Sequence, residues 1–342
     1  DLILSESVLA QSVERILELV FKSKEQERFT DEVDFENHRN LSRKVAEESV
    51  VLLKNEKELL PITKEKYKKV AVIGAFAKEP RYQGGGCTLV NPIRISRPYE
   101  EMEKLAGDDI TLTYAKGYEL KNETSDELIR EAEETARAAD VAVIFAGLWV
   151  AYDREGFDRK HLEIDSSHIR LIEAVARVQK GVGVVLSNGD AVVMNPWLDH
   201  VGAVVEQFLV GETVGEALAR VLFGEVNPSG KLPVTFPKRL EDTSAYPYFP
   251  GECSHHVYGE GIFVGYRYYE KKKIEPLFPF GYGISYTTFE YSNLRVDRNR
   301  FKDTDTVTVS VDVTNTGSVK GKETVQIYIS DEESRLKRPE KE

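Results

Sequence analysis

Two stretches of this sequence bring together residue types that could do chemistry. The first is Arg81-Tyr82-Gln83-Gly84-Gly85-Gly86-Cys87, and the second runs from Trp149 through Tyr152-Asp153-Arg154-Glu155-Gly156-Phe157 to Asp158-Arg159. Both carry aromatics, charge and glycine. Glu155 sits between two acid–base neighbours, Asp153-Arg154 and Asp158-Arg159, and precedes a glycine that frees its backbone. A carboxylic acid in that setting can donate and recover a proton, provided burial or a neighbouring carboxylate opposes its ionisation. Against this stands the ordinary reading of any one of 58 acids as a solvated surface charge, with Asp158 and Arg159 a local ion pair that fixes the loop. The triple glycine could cradle a phosphate, but its spacing is neither the Walker loop nor the Rossmann fingerprint, and Pro92 and Pro98 delay the next helix. A flexible turn or a close-approach loop at a pocket rim remains.

These loops need a frame. Short β-branched apolar runs occur at 70–74, 110–114, 141–145, 182–186 and 203–207, with helical patterns between them at Ser125 to Ala139 and Ser166 to Gln179. Continuously apolar strands separated by amphipathic helices predict a mainly parallel sheet covered on both faces, an α/β sandwich. In such a sheet ligands collect at the carboxyl ends of the strands, which is where both loops leave. Upstream, Arg43 to Ile62 reads as a helix feeding the apolar run Val50 to Asn55. The polar stretch Lys22 to Asn40 reads as a linker. Val8, Leu9, Val13, Ile16, Leu17, Val20 and Phe21 recur near every 3.6 residues and predict a helix with one apolar stripe, which needs a wall to pack on. The first residue is Asp1, and we expect a segment removed upstream. Past 222, a helix end, a turn and a last strand are expected up to Pro237. The alternating run Thr306 to Val313, the turn at Asn315-Thr316-Gly317 and the run Glu323 to Ile329 predict antiparallel strands.

Composition narrows the partners. The 342 residues allow roughly two domains, and 41% hydrophobic with 30% charged is an ordinary globular balance. No run reaches the ~18 apolar residues of a membrane span. With 46 bases against 58 acids the net charge is −12, which repels nucleic acid and favours a neutral or cationic small molecule. Two cysteines only, Cys87 and Cys253, argue against a disulfide scaffold and for the cytoplasm. No cofactor or metal is implied, since His255 and His256 beside Cys253 diverge as neighbours and read as a solvent-facing loop.

The run Leu222-Phe223-Gly224-Glu225-Val226-Asn227-Pro228-Ser229-Gly230-Lys231-Leu232-Pro233-Val234-Thr235-Phe236-Pro237 closely resembles a signature of the family 3 glycoside hydrolases, the β-glucosidases and their relatives. So do Tyr258-Gly259-Glu260-Gly261-Ile262-Phe263-Val264-Gly265-Tyr266-Arg267-Tyr268-Tyr269, Pro276 to Phe289, and Glu48 to Asn55. The resemblance covers most of the chain in the family's order. It implies a C-terminal portion: residues 1–22 the last helix of an absent TIM barrel, 23–42 a linker, and 43–240 the α/β sandwich carrying the acid/base. A connecting segment packed on the sandwich, 241–290, and a partial fibronectin type III-like β-sandwich, 291–342, would complete it. By the same resemblance Glu155 is the acid/base, with Asp153 the competing assignment. Arg81, Tyr82, Gln83, Trp149, Asp158 and Arg159 would border the substrate, although Trp149 reads equally well as a half-buried loop anchor.

The family's nucleophile lies in a Ser-Asp-Trp type motif on the barrel, and no such tripeptide occurs here. Retaining hydrolysis needs two carboxyl groups ~5 Å apart on either side of the scissile bond. The expected function is therefore part of a retaining β-glucosidase acting on terminal β-D-glucosyl units, inactive without its barrel. The alternative is a noncatalytic carbohydrate-binding or interaction module of the same fold.

Overall fold

The computed structural model describes residues 4–25, 33–121 and 123–342. It divides into two compact units, Asp1–Arg39 and Asn40–Glu342. In the first, helix α1 (Glu6–Glu25) carries the expected apolar stripe, and none of its residues is buried. The part of the expected linker at 26–32 lies outside the described residues, and its C-terminal part is not a linker. Helix α2 spans Phe35–Ser49. The expected helix from Arg43 to Ile62 is likewise cut short. It stops at Ser49, and Val51–Asn55 forms strand β1. Val50 to Leu53 are buried on every side, which gives no one-sided helical stripe and suits a strand inside a packed sheet.

The larger unit is built on a six-stranded sheet in the order β1-β6-β5-β4-β2-β3, with β2 (Lys69–Ile73), β3 (Thr111–Ala115), β4 (Val141–Gly147), β5 (Val182–Ser187) and β6 (Ala203–Glu206). All neighbours are parallel except β1, which runs antiparallel to β6. Every residue of β4 and β5 is buried. Each Val, Ile or Leu so placed contributes about 1.5–3 kcal/mol relative to exposure.

The covering helices are α3 (Pro98–Ala106), α4 (Asp126–Arg137), α5 (Ser166–Val178) and α6 (Val214–Leu222). The Ser125 hydroxyl caps α4 by accepting the Leu128 N–H at 3.2 Å, and Ile129, Ala132 and Ala136 bury one face. The β2-to-β3 and β4-to-β5 connections run in opposite directions along the sheet. Right-handed crossovers therefore put α3 on one face and α5 on the other. The loops leaving the adjacent strands β2 and β4 part company there, and the crevice between them is the switch point at which such sheets bind ligands. Gly147 ends β4 at φ +155°, where a Cβ would stand 2.1 Å from the Ser187 carbonyl oxygen. Only glycine lets the two strand ends approach so closely.

The expected last strand at 231–237 does not form. Pro233 and Pro237 lack the N–H a ladder requires, and the segment is tied at separate points rather than along a ladder, around Leu232, whose N–H donates to the Tyr282 carbonyl at 2.8 Å, and around Phe236, whose N–H donates to the Phe278 carbonyl at 2.8 Å. Beyond helix α7 (Tyr266–Lys272), strands β7 (Phe289–Val296) and β8 (Val309–Asn315) make a two-stranded antiparallel sheet. The alternating run does become a strand, shifted to β8. Its partner, however, is β7 rather than 323–329, which is not a strand. Trp197 is fully buried in the core.

Candidate active site

A hollow of about 490 Å³ opens at the carboxyl ends of β2 and β4. Tyr152, Asp153, Glu155, Asp158 and Arg159 line it from the loop after β4, and Gly84 and Gly85 from the loop after β2. The two loops are stitched together by the Gly85 N–H donating to the Asp153 carbonyl at 3.0 Å and by a bridge between Gly85 and Arg154. Tyr82 and Gln83 line an adjoining hollow that shares Gly84, Thr88 and Leu209 with the first. Gln83 braces its own loop, donating to Tyr82 Oη at 3.0 Å and accepting the Val90 N–H at 3.1 Å.

Glu155 is exposed at the rim of the hollow. One of its oxygens, Oε2, accepts from the Cys87 thiol at 2.8 Å. That hydrogen bond, with the nearby carboxylate charge, pushes the Cys87 thiol up from its usual range. Asp153 is committed elsewhere. Its Oδ2 accepts Arg81 Nη2 at 3.0 Å and the Gly189 N–H at 2.8 Å. Arg81 is buried and also donates to the carbonyls of Leu148, at 3.0 Å, and Gln83, at 2.7 Å. It lies beneath the hollow as a clamp between the two loops. Burial draws its pKa down while Asp153 opposes the shift. Removing one partner of so enclosed a pair leaves an uncompensated charge, at a cost of about 3–5 kcal/mol.

Asp158 and Arg159 do not form the expected ion pair. Asp158 is exposed, whereas Arg159 turns inward and donates to the Ala191 carbonyl at 3.2 Å, its pKa drawn down by burial. Trp149 is half-buried beside Tyr152, ring centroids 6.0 Å apart and nearly perpendicular, and it does not line either hollow. Its backbone N–H donates to Asp165 Oδ2 at 3.2 Å. Burial raises the Asp165 carboxyl to about 6.

Three residues at or near the hollow receive no role from the sequence. Phe249 reaches the hollow from a loop nearly a hundred residues on, with no periodic or motif signal to announce it. Cys87 adjoins the triple glycine, and that adjacency was the available signal. Glu206, fully buried and raised to about 8 by that burial, ends β6 within an otherwise apolar run, where one acid is the signal. Among the described residues no cluster of three or more His, Cys, Asp or Glu could hold a metal ion, and Cys253, His255 and His256 are exposed. Among the same residues no helix is long and apolar enough to cross a membrane.

Residues 50–286 match the glycosyl hydrolase family 3 C-terminal domain. The chain is 51% identical over 340 residues to thermostable β-glucosidase B of Acetivibrio thermocellus, covering 99% of this chain and 45% of that protein. It is 40% identical over 317 residues to an exo-α-(1→6)-L-arabinopyranosidase of Bifidobacterium breve, covering 90% and 41%. The crystal structure of a glycoside hydrolase family 3 β-glucosidase from Bifidobacterium adolescentis superposes with a TM-score of 0.90 at 37% identity, over 100% of this chain and 50% of that one. The chain thus spans about half the length of the relatives it matches.

Proposed function

The chain belongs to the glycosyl hydrolase family 3 C-terminal domain family, and from that premise we propose that it supplies the general acid/base of a retaining β-glycosidase. Glu155 is that residue. In the first step it gives its proton to the leaving-group oxygen while a carboxylate outside this chain attacks the anomeric carbon. In the second it takes a proton from the water that releases the sugar. Tyr82, Gln83 and Asp158 border the substrate, and Arg81, Arg159 and Trp149 set the loops that do so. The single observation that carries the assignment is the division of labour between neighbouring acids. Asp153 is tied to Arg81 and Gly189, while Glu155 stands at the rim and, among the described residues, takes a hydrogen bond from the Cys87 thiol alone.

Such an acid works where water is excluded, and Glu155 is exposed in this chain. The role therefore calls for a second surface laid over the hollow, the barrel that precedes the domain in the family. β-D-Glucosides are the proposed substrates because most of these relatives are β-glucosidases, although two are arabinopyranosidases. A partial fibronectin type III-like domain at 291–342 is supported by the β7–β8 pair. Placement in the cytoplasm is supported by two exposed, free cysteines.

The test is made on the full-length protein that includes this chain. Glu155→Ala is expected to lower turnover of a substrate with a poor leaving group by about 10²–10⁴-fold, and undiminished turnover would end the assignment. The chain alone is expected to show no β-glucosidase activity. The absence of a Ser-Asp-Trp tripeptide also suits a second reading, a noncatalytic carbohydrate-binding module. That reading predicts sugar binding by the chain and no effect of Glu155→Ala on any turnover.

A further inference from the structure

Beside the hollow lies a buried, hydrogen-bonded polar pair, Glu206 and Asn188. Glu206 ends β6, fully enclosed, and its Oε2 accepts from Asn188 Nδ2 at 2.9 Å while Oε1 accepts the Phe208 N–H at 2.8 Å. Asn188 follows β5 directly and is itself buried. The same amide nitrogen donates to the Asp190 carbonyl at 2.8 Å, which closes the turn 188–190. Asn188 Oδ1 is buried without a partner among the described residues, so the orientation of the amide is set by what it donates to. An apolar side chain at 206 would avoid the desolvation that a buried carboxyl entails. The pair fits a positional role instead.

The turn delivers the Gly189 N–H to Asp153 Oδ2 at 2.8 Å, the oxygen that Arg81 Nη2 also holds. A Cβ on Gly189 would stand 2.5 Å from Asp153 Oδ1, so glycine is what lets the two approach. Asp153 in turn receives the Gly85 N–H on its carbonyl, and Cys87, two residues on, donates to Glu155. Glu155 is thereby framed from both sides. We infer that Asn188 and Glu206 are positioning residues for the proposed acid/base, setting the 188–190 turn that fixes Asp153 and hence the start of the loop carrying Glu155. The inference rests on the acid/base reading of Glu155 and deepens it.

The experiment measures kcat/KM in the full-length protein on two β-glucosides, an alkyl glucoside that needs protonation of its leaving group and a dinitrophenyl glucoside that does not. Misplacement of an acid by even an ångström can cost about 10²-fold where the acid is needed. Asn188→Ala and Glu206→Leu are expected to lower the alkyl glucoside rate by about tenfold or more and the dinitrophenyl rate by less than about threefold. Glu206→Gln, which keeps the size and one of the two acceptor oxygens, is expected to restore the ratio in part. If Asn188→Ala does not fold, Gly189→Ala at the exposed turn must give the same split by pushing Asp153 aside. Equal loss on both substrates, or a lowered melting temperature with the ratio unchanged, overturns the positioning role. Glu155→Ala measured in parallel separates the two ideas. A selective loss there without one in Asn188→Ala refutes positioning alone, and no selective loss in Glu155→Ala refutes both.

Discussion

Cys87 and Glu155 come from loops 68 residues apart and meet at 2.8 Å, sulfur to oxygen. Because the carboxylate raises the thiol's pKa, first through the hydrogen bond and then through its charge, Cys87 is a poorer thiolate with Glu155 present. Glu155→Gln is therefore expected to speed alkylation of Cys87 at pH 8, by up to about tenfold for each unit the pKa falls, while exposed Cys253 keeps its rate. An unchanged Cys87 rate, read by mass spectrometry of the two peptides, would mean the contact is not made. At this scale the sequence was informative about which loop lines the hollow. Glu155, Asp153 and Arg159 all come to the hollow. It was silent on which way each side chain turns, since Asp153 and Glu155 differ by partners that lie far away in sequence, Arg81, Gly189 and Cys87.

The strands that carry these loops are continuous in sequence and were legible as continuous apolar runs, each within a residue or two of its observed ends. What was illegible depended on partners. Val51–Asn55 becomes a strand because β6 offers it an edge, and Phe236 stays outside a ladder because prolines flank its segment. The alternation at 306–313 announced a strand correctly without revealing that β7 rather than a following hairpin would pair with it. Two substitutions test the frame. Gly147→Ala forces a Cβ against the Ser187 carbonyl and is expected to destabilise the chain by more than about 3 kcal/mol. Ser125→Ala, which removes only a cap on an exposed helix end, is expected to cost about 1 kcal/mol. Urea unfolding measures both, and similar losses would contradict the close approach of β4 to β5.

At the scale of the whole chain, the buried Glu206 links stability to pH. Its carboxyl titrates at about 8 when folded and at the ordinary 4.5 when unfolded. Between these values the folded chain holds one more proton, so the stability that neutral Glu206 contributes is complete below about 4.5 and is lost as pH rises through 8. Glu206→Gln is expected to remove a slope of about 1.4 kcal/mol per pH unit across that window, measured as unfolding free energy at pH 5 to 8 against the unaltered chain. Parallel lines would show that Glu206 is not held neutral. The chain belongs to the glycosyl hydrolase family 3 C-terminal domain family and spans about half of its relatives' length, and the function proposed above makes it one part of a two-carboxyl arrangement. The most direct measurement of that claim uses Glu155→Ala in the full-length protein, an activated aryl β-glucoside and added azide. Azide needs no general base, so it should intercept the glycosyl-enzyme, accelerate turnover and yield a β-glycosyl azide. No acceleration, or an azide of α configuration, would contradict Glu155 as the acid/base of a retaining enzyme.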